Sequence, residues 1–209
     1  MSRRSRRRWR QSTPCPCRRK PPRPPLESPD EPFATTLEII ERNLATGAKK
    51  LGPTTGAALT AEFDWARGFA AANVAALRAA PRALVLTDAH PRNFIIDRNG
   101  RAIAVDLEKA LYGAPGIDLA HAMLPAAIAW GRAGERVTDA DRADFVAAYF
   151  AWRGNAAMRE IAPLLEPMRR LTALRTAAAF AAIRTTGADR PLAPAARTIA
   201  RRAIAAALG

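Results

Sequence analysis

The stretch from residue 86 to residue 118 constrains the fold more than any other part of the chain. It contains two short apolar segments, residues 94–96 and 103–105, with Asn99-Gly100 between them. An Asn-Gly pair readily takes the positive φ angles that tight hairpins need, so the two segments are predicted to form antiparallel strands. Both segments are apolar enough for us to expect a buried hairpin.

Polar side chains flank this predicted hairpin. Asp88 and Asn93 precede the first strand, Asp106 follows the second, and Asp118 lies further along the chain. Because the strands of a hairpin run in opposite directions, Asn93 and Asp106 are expected at the same end, with Asp88 just before them. Mg²⁺ prefers oxygen ligands, typically one or two carboxylates with phosphate and water. Phosphoryl transfer also needs a carboxylate that orients or deprotonates the attacking hydroxyl. The spacing therefore indicates a site for a divalent cation and a phosphate.

The same residues resemble the aminoglycoside phosphotransferase family, which is related to the choline kinases and shares the protein-kinase-like fold. In that family a His-Gly-Asp-x-x-x-x-Asn loop precedes a hairpin and an Asp-x-Glu metal motif. This chain has Asp88 to Asn93 and then Asp106-Leu107-Glu108, and the likeness covers residues 60–185. It implies an α+β fold, mostly helical: a protein-kinase-like C-terminal lobe with a small β-hairpin and a catalytic loop.

The resemblance also implies a role for each matched position. Asp88 would be the catalytic base, Asn93 and Asp106 would bind Mg²⁺, and ATP would be the phosphate donor. Asp118 would either cap the next helix or brace the catalytic loop. The acceptor would be a hydroxyl group of a small molecule.

Ordinary structural interpretations stay open for these residues. Asp88 and Asn93 would also suit a turn in which their side chains satisfy backbone groups. Asp106 would suit a solvated strand end. Glu108 is interpreted either as a supporting residue of the site or as half of a solvated pair with Lys109.

The loop departs from the family pattern at two positions. Leu86 stands where the family usually has His, and Thr87 where it usually has Gly. That His normally helps to hold the catalytic loop, so its replacement bears on loop geometry more than on chemistry. His90, followed by Pro91, matches the His-Pro of the family loop and is interpreted as a structural, supporting residue. His121 is predicted to be a packed or half-buried histidine on a helix.

The positive charge is concentrated in the first residues of the chain. Residues 1–25 contain nine arginines, one lysine and no acid, which accounts for +10 of the net charge of +14. Residues 1–32 also contain eight of the seventeen prolines, so a disordered tail is expected, followed by one domain over residues 33–209. A nucleic-acid contact by residues 1–25 is one interpretation. A solvated extension without a dedicated partner is the favoured one.

The cysteines and the apolar residues exclude other classes. Cys15 and Cys17 both lie in the predicted tail, and two thiols at that spacing do not make a zinc site. No disulfide is expected within the domain, which is compatible with a reducing, cytoplasmic setting. No uncharged run of about twenty apolar residues occurs, so no membrane span is predicted.

Most of the domain is predicted to be helical. One helix is expected from Thr35, which has capping-box spacing to Glu38, to Gly47. After a loop around residues 52–56, a second helix should run over about residues 60–80, and residues 84–86 should form a short strand.

Further helices are predicted after Asp118. One runs to about residue 130, and another opens at Thr138 with aromatic residues spaced for burial: Phe145, Tyr149 and Trp152. A longer helix follows Pro167, with these residues inward: Met168, Leu171, Leu174 and Ala178. The last spans residues 194–208.

The nucleotide-binding half of a kinase-like enzyme is not recognisable. Residues 33–82 are too short for a five-stranded small lobe and have a helical pattern, and no Gly-x-Gly-x-x-Gly occurs. Lys49 and Lys50 follow a helix, whereas the phosphate-binding lysine of kinases lies on a strand. The sequence therefore predicts that the small N-terminal lobe is missing.

Two functions from different classes follow. The first is an ATP- and Mg²⁺-dependent phosphotransferase, complete or truncated, that acts on a small-molecule hydroxyl. The alternative is a catalytically inactive remnant, a pseudokinase-like binding module that lacks half of the ATP site. A nucleic-acid binder that acts through the tail is a third class.

Overall fold

The structure, a computed structural model, describes residues 26–47, 51–127 and 138–186. Over these ranges the chain is a mostly helical α+β domain, in agreement with the predicted class. Several expectations lie outside the described residues, namely those for residues 1–25, Cys15, Cys17, Lys49, Lys50 and the helix over 194–208. The helix expected from Leu119 to about residue 130 is interrupted after Ala122, so that prediction is wrong. No helix in the described ranges combines the length and the apolar composition needed to cross a membrane.

Residues 27–33 contact the helical domain, although residues 1–32 were expected to be a disordered tail. The backbone N–H of Tyr112 donates to the carbonyl of Glu27 at 2.8 Å. The guanidinium of Arg82 donates to the carbonyl of Asp30 at 2.8 Å, and Phe33 is fully buried. These contacts are made by backbone carbonyls, which the polar composition of the segment does not reveal.

In the part of the chain that the structure describes, three helices precede strand β1. Helix α1 spans Ala34–Gly47, as predicted, but it begins before Thr35, so the expected capping box with Glu38 does not form. The second predicted helix is divided into α2, Pro53–Ala72, and α3, Val74–Ala79. Helix α2 begins earlier than predicted because Pro53 takes its first turn, where a missing N–H is tolerated.

The four strands in the described ranges form two separate two-stranded sheets. Strand β1, Ala83–Val85, pairs antiparallel with β4, Leu111–Gly113, a strand that the sequence patterns do not predict. Strands β2, Phe94–Ile96, and β3, Ala102–Ala104, form the predicted hairpin, with Phe94 opposite Ala104. Residues 86–93 run from β1 to β2 and so connect the two sheets. They form the loop that the family resemblance implies to be the catalytic loop.

The hairpin turn and its burial differ from expectation. Gly100 takes a positive φ of 77°, but Asn99 does not. The N–H of Gly100 donates to the carbonyl of Asp97, and the N–H of Asp97 donates to the carbonyl of Arg101. A three-residue loop of this kind needs only one left-handed residue. The prediction of a buried hairpin is wrong, because its isoleucines are largely exposed: Ile95, Ile96 and Ile103.

The remaining helices are α4, Gly116–Ala122, α5, Asp139–Arg153, and α6, Asn155–Thr186. Thr138 caps α5 in a capping box with Asp141, at the predicted start. Only one side of α5 packs on the domain, so Phe150 is buried while Phe145 and Trp152, expected to be buried, are exposed. Helix α6 begins before Pro163 and Pro167 and continues through both, so its predicted start after Pro167 is wrong.

Helix α6 organises the hydrophobic core. The four residues predicted to face inward from it are buried: Met168, Leu171, Leu174 and Ala178. It packs against α1, α2 and α4. A Cβ on Gly47 would lie 2.6 Å from the backbone of Ala181, so α1 and α6 approach each other closely where a glycine allows it. Helix α6 also contacts the loop of residues 86–93, through a hydrogen bond from Arg175 to the carbonyl of Thr87.

Candidate active site

Asp88 lies at the centre of a cluster of cationic and histidine side chains. The ammonium of Lys109 donates to Oδ2 of Asp88 at 2.7 Å. Nε2 of His121 and Nε2 of His90 lie 3.7 and 3.8 Å from Oδ1 of the same carboxylate. Both distances are too long for a hydrogen bond, so Oδ1 can accept a hydrogen bond from a bound molecule.

Asn93 is fixed to the backbone of the same loop. Its Nδ2 donates to the carbonyl of Asp88 at 3.0 Å, and the side chain is buried. Because the amide nitrogen is used inward, the carboxamide oxygen is left as an acceptor. The backbone N–H of Val105 donates to the carbonyl of Asn93 at 2.9 Å, which holds Asp106 beside this residue. The hairpin therefore brings Asn93 and Asp106 to one end, as its antiparallel register requires.

Asp118 braces the start of the catalytic loop from helix α4. Its two carboxylate oxygens accept the backbone N–H groups of Leu86, at 2.7 Å, and of Thr87, at 2.8 Å. Burial raises the pKa of Asp118, although these two hydrogen bonds and the charge of Arg175 oppose the rise. Residue Pro115 occupies the N-cap position of α4, so of the two roles considered for Asp118 the structure displays the brace.

A second brace reaches the loop from helix α6. Nη2 of Arg175 donates to the carbonyl of Thr87 at 2.6 Å. The hydroxyl of Thr87 donates to the carbonyl of Lys109 at 3.1 Å, which ties the loop to the segment after β3. Thr87 is thus held on three sides, through its N–H, its carbonyl and its hydroxyl.

Within the described ranges, two non-glycine residues have a positive φ, and both belong to this site. They are Thr87, at 60°, and Asp106, at 58°. A left-handed conformation costs roughly 1–3 kcal/mol for such a residue and persists only where the surroundings impose it. Thr87 stands where the related family usually has Gly, so the hydrogen bonds of Thr87 offset a strain that glycine would avoid.

Asp106 and Glu108 are more open than Asp88. Both side chains are exposed and line a cavity of about 850 Å³, whose other described lining residues come mainly from residues 26–39 and from the segment 107–117. In the described part of the chain no three His, Cys, Asp or Glu side chains are arranged to hold a metal ion. A carboxylate from Asp106 and the carboxamide oxygen of Asn93 nevertheless form a donor set that fits Mg²⁺, since this ion completes its shell with phosphate and water.

Electrostatics keep Asp88 ionised. Burial raises the pKa of its carboxyl, but the hydrogen bond and charge of Lys109, with the charges of His121 and His90, lower it below the ordinary value. An ionised carboxylate is the form that accepts a proton from a hydroxyl.

His121 is buried behind Asp88. Burial, with the nearby charge of Arg175, lowers its pKa to about 4, against the opposing effects of Ala89 and Asp88. The imidazole is therefore neutral at pH 7. In the described structure the Nδ1 atoms of His121 and His90 are buried and have no hydrogen-bond partner. His121 is buried, as expected of a packed histidine. Its position next to Asp88 was not predicted from the sequence.

A cavity of about 400 Å³ opens at Asp88. Its polar lining includes Asp88, Lys109 and His121, and its apolar lining comes from helices α1 and α6 and from residues 126–127. This cavity and the larger one, which Asp106 and Glu108 line, share Thr87, Lys109 and Arg175 among their lining residues. Lys109 thus lines both the cavity at Asp88 and the cavity at Asp106 and Glu108.

The contacts of Arg175 and Lys109 with the loop were not predicted from the sequence, although the position of Arg175 indicated one. Arg175 follows Leu171 by four residues and precedes Ala178 by three, so it lies on the buried face of α6. A charge at such a position indicates a buried partner. From the sequence, Lys109 and Glu108 are interpreted either as a solvated pair or as supporting groups of the site. The contact of Lys109 with Asp88 was not predicted, because that contact depends on the turn after β3.

Comparison with known proteins identifies the family. The family model described as the phosphotransferase enzyme family matches residues 19–164, which is well over half of the chain. No curated protein matches the chain. No solved structure matches it either. On the strength of the family match, and in agreement with the resemblance of residues 86–118, this chain belongs to the phosphotransferase enzyme family.

Proposed function

We propose that this protein transfers the γ-phosphate of ATP to a hydroxyl group of a small molecule, with Asp88 as the catalytic base. The family match supports phosphoryl transfer in general. The assignment to a kinase-like C-terminal lobe, the use of ATP and Mg²⁺, and the small-molecule acceptor are part of this proposal.

The arrangement around Asp88 is the single observation that carries the proposal. An ionised carboxylate lines a cavity, and one of its oxygens is more than 3.5 Å from both neighbouring histidine nitrogens. An acceptor hydroxyl placed there would donate its hydrogen to Oδ1 of Asp88. The hydroxyl oxygen would then attack the γ-phosphorus in line with the departing ADP, and its proton would pass to Asp88.

The residues around Asp88 would hold the reactants in place. Asp118 and Arg175 fix the backbone that carries Asp88. Asn93 and Asp106 would hold Mg²⁺, which when bound would neutralise charge on the phosphates. Lys109 lines both cavities, and its ammonium, paired with Oδ2 of Asp88, would keep that carboxylate ionised.

The variant Asp88→Asn tests the proposal, because it keeps the shape of the side chain and removes its basicity. We expect the release of ADP that depends on an acceptor to fall by about 10²–10⁴-fold. The circular dichroism spectrum and the affinity for Mg²⁺-ATP should change little. Asp144→Asn, at an exposed position of α5, is the matched control and should retain wild-type turnover. Turnover by Asp88→Asn at the wild-type rate would refute the assignment.

A further inference from the structure

The cavity at Asp88 has an apolar wall as well as polar lining residues. Ile39 of α1, Ala127 after α4, and Ala179 and Phe180 of α6 line it. A volume of about 400 Å³ is near the lower end of the range, roughly 300–1,000 Å³, found for small-molecule sites. The small alanine side chains create this space, so the wall is a surface on which an apolar group can pack.

The charges in the same cavity disfavour a cation. Among the described lining residues Asp88 is the one carboxylate, against two cations, Lys109 and Arg175. Lys109 is already paired with that carboxylate. No further carboxylate among the described lining residues is available to pair with Arg175, whose guanidinium donates to the carbonyl of Thr87. A cationic ligand would therefore lose water without gaining an acidic partner.

We propose that the phosphate acceptor is a small hydroxyl compound with an uncharged, apolar body, and that polyamines are excluded. This inference rests on the proposed function, because it takes the cavity at Asp88 as the acceptor site. The apolar body would pack against the wall formed by Ala127, Ala179 and Phe180, and the hydroxyl would point to Oδ1 of Asp88.

Two benzyl alcohols of the same size test the charge preference. They are 4-ethylbenzyl alcohol, which is neutral, and 4-(aminomethyl)benzyl alcohol, which is a cation at pH 7.5. Binding to the full-length protein is measured by ligand-observed NMR, and transfer by ADP release with Mg²⁺-ATP. We expect the neutral alcohol to bind at least about tenfold more tightly, because the cation would be buried without an acidic partner. Equal or tighter binding of the cation, or no binding of the neutral alcohol, would overturn the inference.

A cavity-filling variant links this binding to the wall. Ala179→Leu should weaken binding of 4-ethylbenzyl alcohol at least about fivefold, since the added methyl groups occupy the space of its ring. Mg²⁺-ATP affinity should be unchanged. Ala148→Leu, on the exposed face of α5, is the control, and Ala127→Val is a smaller change should Ala179→Leu fail to fold. Unchanged binding in a folded cavity variant would contradict the placement.

The same assays separate a failure of this inference from a failure of the proposed function. Transfer to the polyamine kanamycin, without transfer to the neutral alcohol, would refute the inference and leave the phosphotransferase function in place. Preferential binding of the neutral alcohol, with no binding of Mg²⁺-ATP and no transfer to either alcohol, would support the cavity assignment and refute the function.

Discussion

The catalytic loop and the hairpin that follows it are consecutive in the chain but are held in different ways. The loop is tied to two helices, through Asp118 of α4 and Arg175 of α6. The hairpin is held by its own backbone pairing, and Ile95, Ile96 and Ile103 face outward from it. The proposed base, Asp88, therefore lies on a braced loop, whereas the proposed metal ligand Asp106 is exposed.

This difference indicates how the work of the site is divided. The loop side contains the residues that would orient an acceptor hydroxyl, and they are arranged before any ligand binds, as preorganised catalysis requires. The hairpin has an exposed apolar surface, and the segment after it carries the exposed acids Asp106 and Glu108. We call the hairpin and this segment the hairpin side. Binding of Mg²⁺-ATP is expected to order the hairpin side far more than the loop side.

The largest expected effect compares two isoleucines, one from each setting. Ile40 in α1 is 0% exposed and belongs to the core that supports the loop, and Ile96 in β2 is 64% exposed. Ile40→Ala should reduce the free energy of unfolding by about 2–5 kcal/mol, because it leaves a cavity in a packed core. Ile96→Ala should change it by about 0.5 kcal/mol. Urea unfolding measures both, and equal losses would remove the distinction between the two sides.

A somewhat smaller effect is expected from the titration of His121. The folded protein lowers its pKa to about 4 from an ordinary 6.5. Between these values the unfolded chain binds a proton that the folded chain does not, so this residue destabilises the fold as the pH falls from 6.5 towards 4. The slope is about 1.4 kcal/mol per pH unit, and the whole effect is roughly 3 kcal/mol.

The variant His121→Gln isolates this titration. Above pH 6.5 the contribution of a neutral His121 is fully present, so the wild type and the variant should differ by a constant amount there. As the pH falls towards 4 the wild type should lose stability faster than the variant. Urea unfolding at several pH values measures the difference, and parallel pH profiles would show that His121 is not buried as described.

The smallest of the three effects concerns the brace on the catalytic loop. Asp118→Ala removes the acceptor for two part-buried backbone N–H groups, and we expect a total loss of about 1–3 kcal/mol because water can take over part of the hydrogen bonding. Asp118→Asn keeps one acceptor oxygen and should lose less stability, while Asp144→Asn should lose little. Hydrogen exchange at Leu86 and Thr87 should accelerate in Asp118→Ala. Unchanged exchange there would contradict the brace.

The parts of the fold that could be predicted from the sequence are those set by local pattern. The hairpin, the capped start of α5 and the inward face of α6 follow from turn residues, capping residues and helical spacing. The register that brings Asn93 beside Asp106 follows from the hairpin itself. These features depend on neighbours only a few residues away.

The parts that could not be predicted depend on distant contacts. Strand β4 exists because it pairs with β1, almost thirty residues earlier, and three residues carry too little pattern to reveal it. The brace from Arg175 crosses 88 positions. The exposure of Trp152 depends on which side of α5 meets α6, since several faces of that helix carry aromatic residues. Helix spacing alone does not decide between such faces.

The most direct test of the account is whether the loop and the hairpin act on the same bound nucleotide. Mn²⁺ can replace Mg²⁺ with a non-hydrolysable ATP analogue, and its unpaired electrons broaden the NMR signals of nearby groups. We predict strong broadening of the side-chain amide of Asn93 and the backbone amide of Asp106. The amide of Gly100, at the far end of the hairpin, should be affected much less. Sharp signals from Asn93 and Asp106 in the saturated complex would contradict the account.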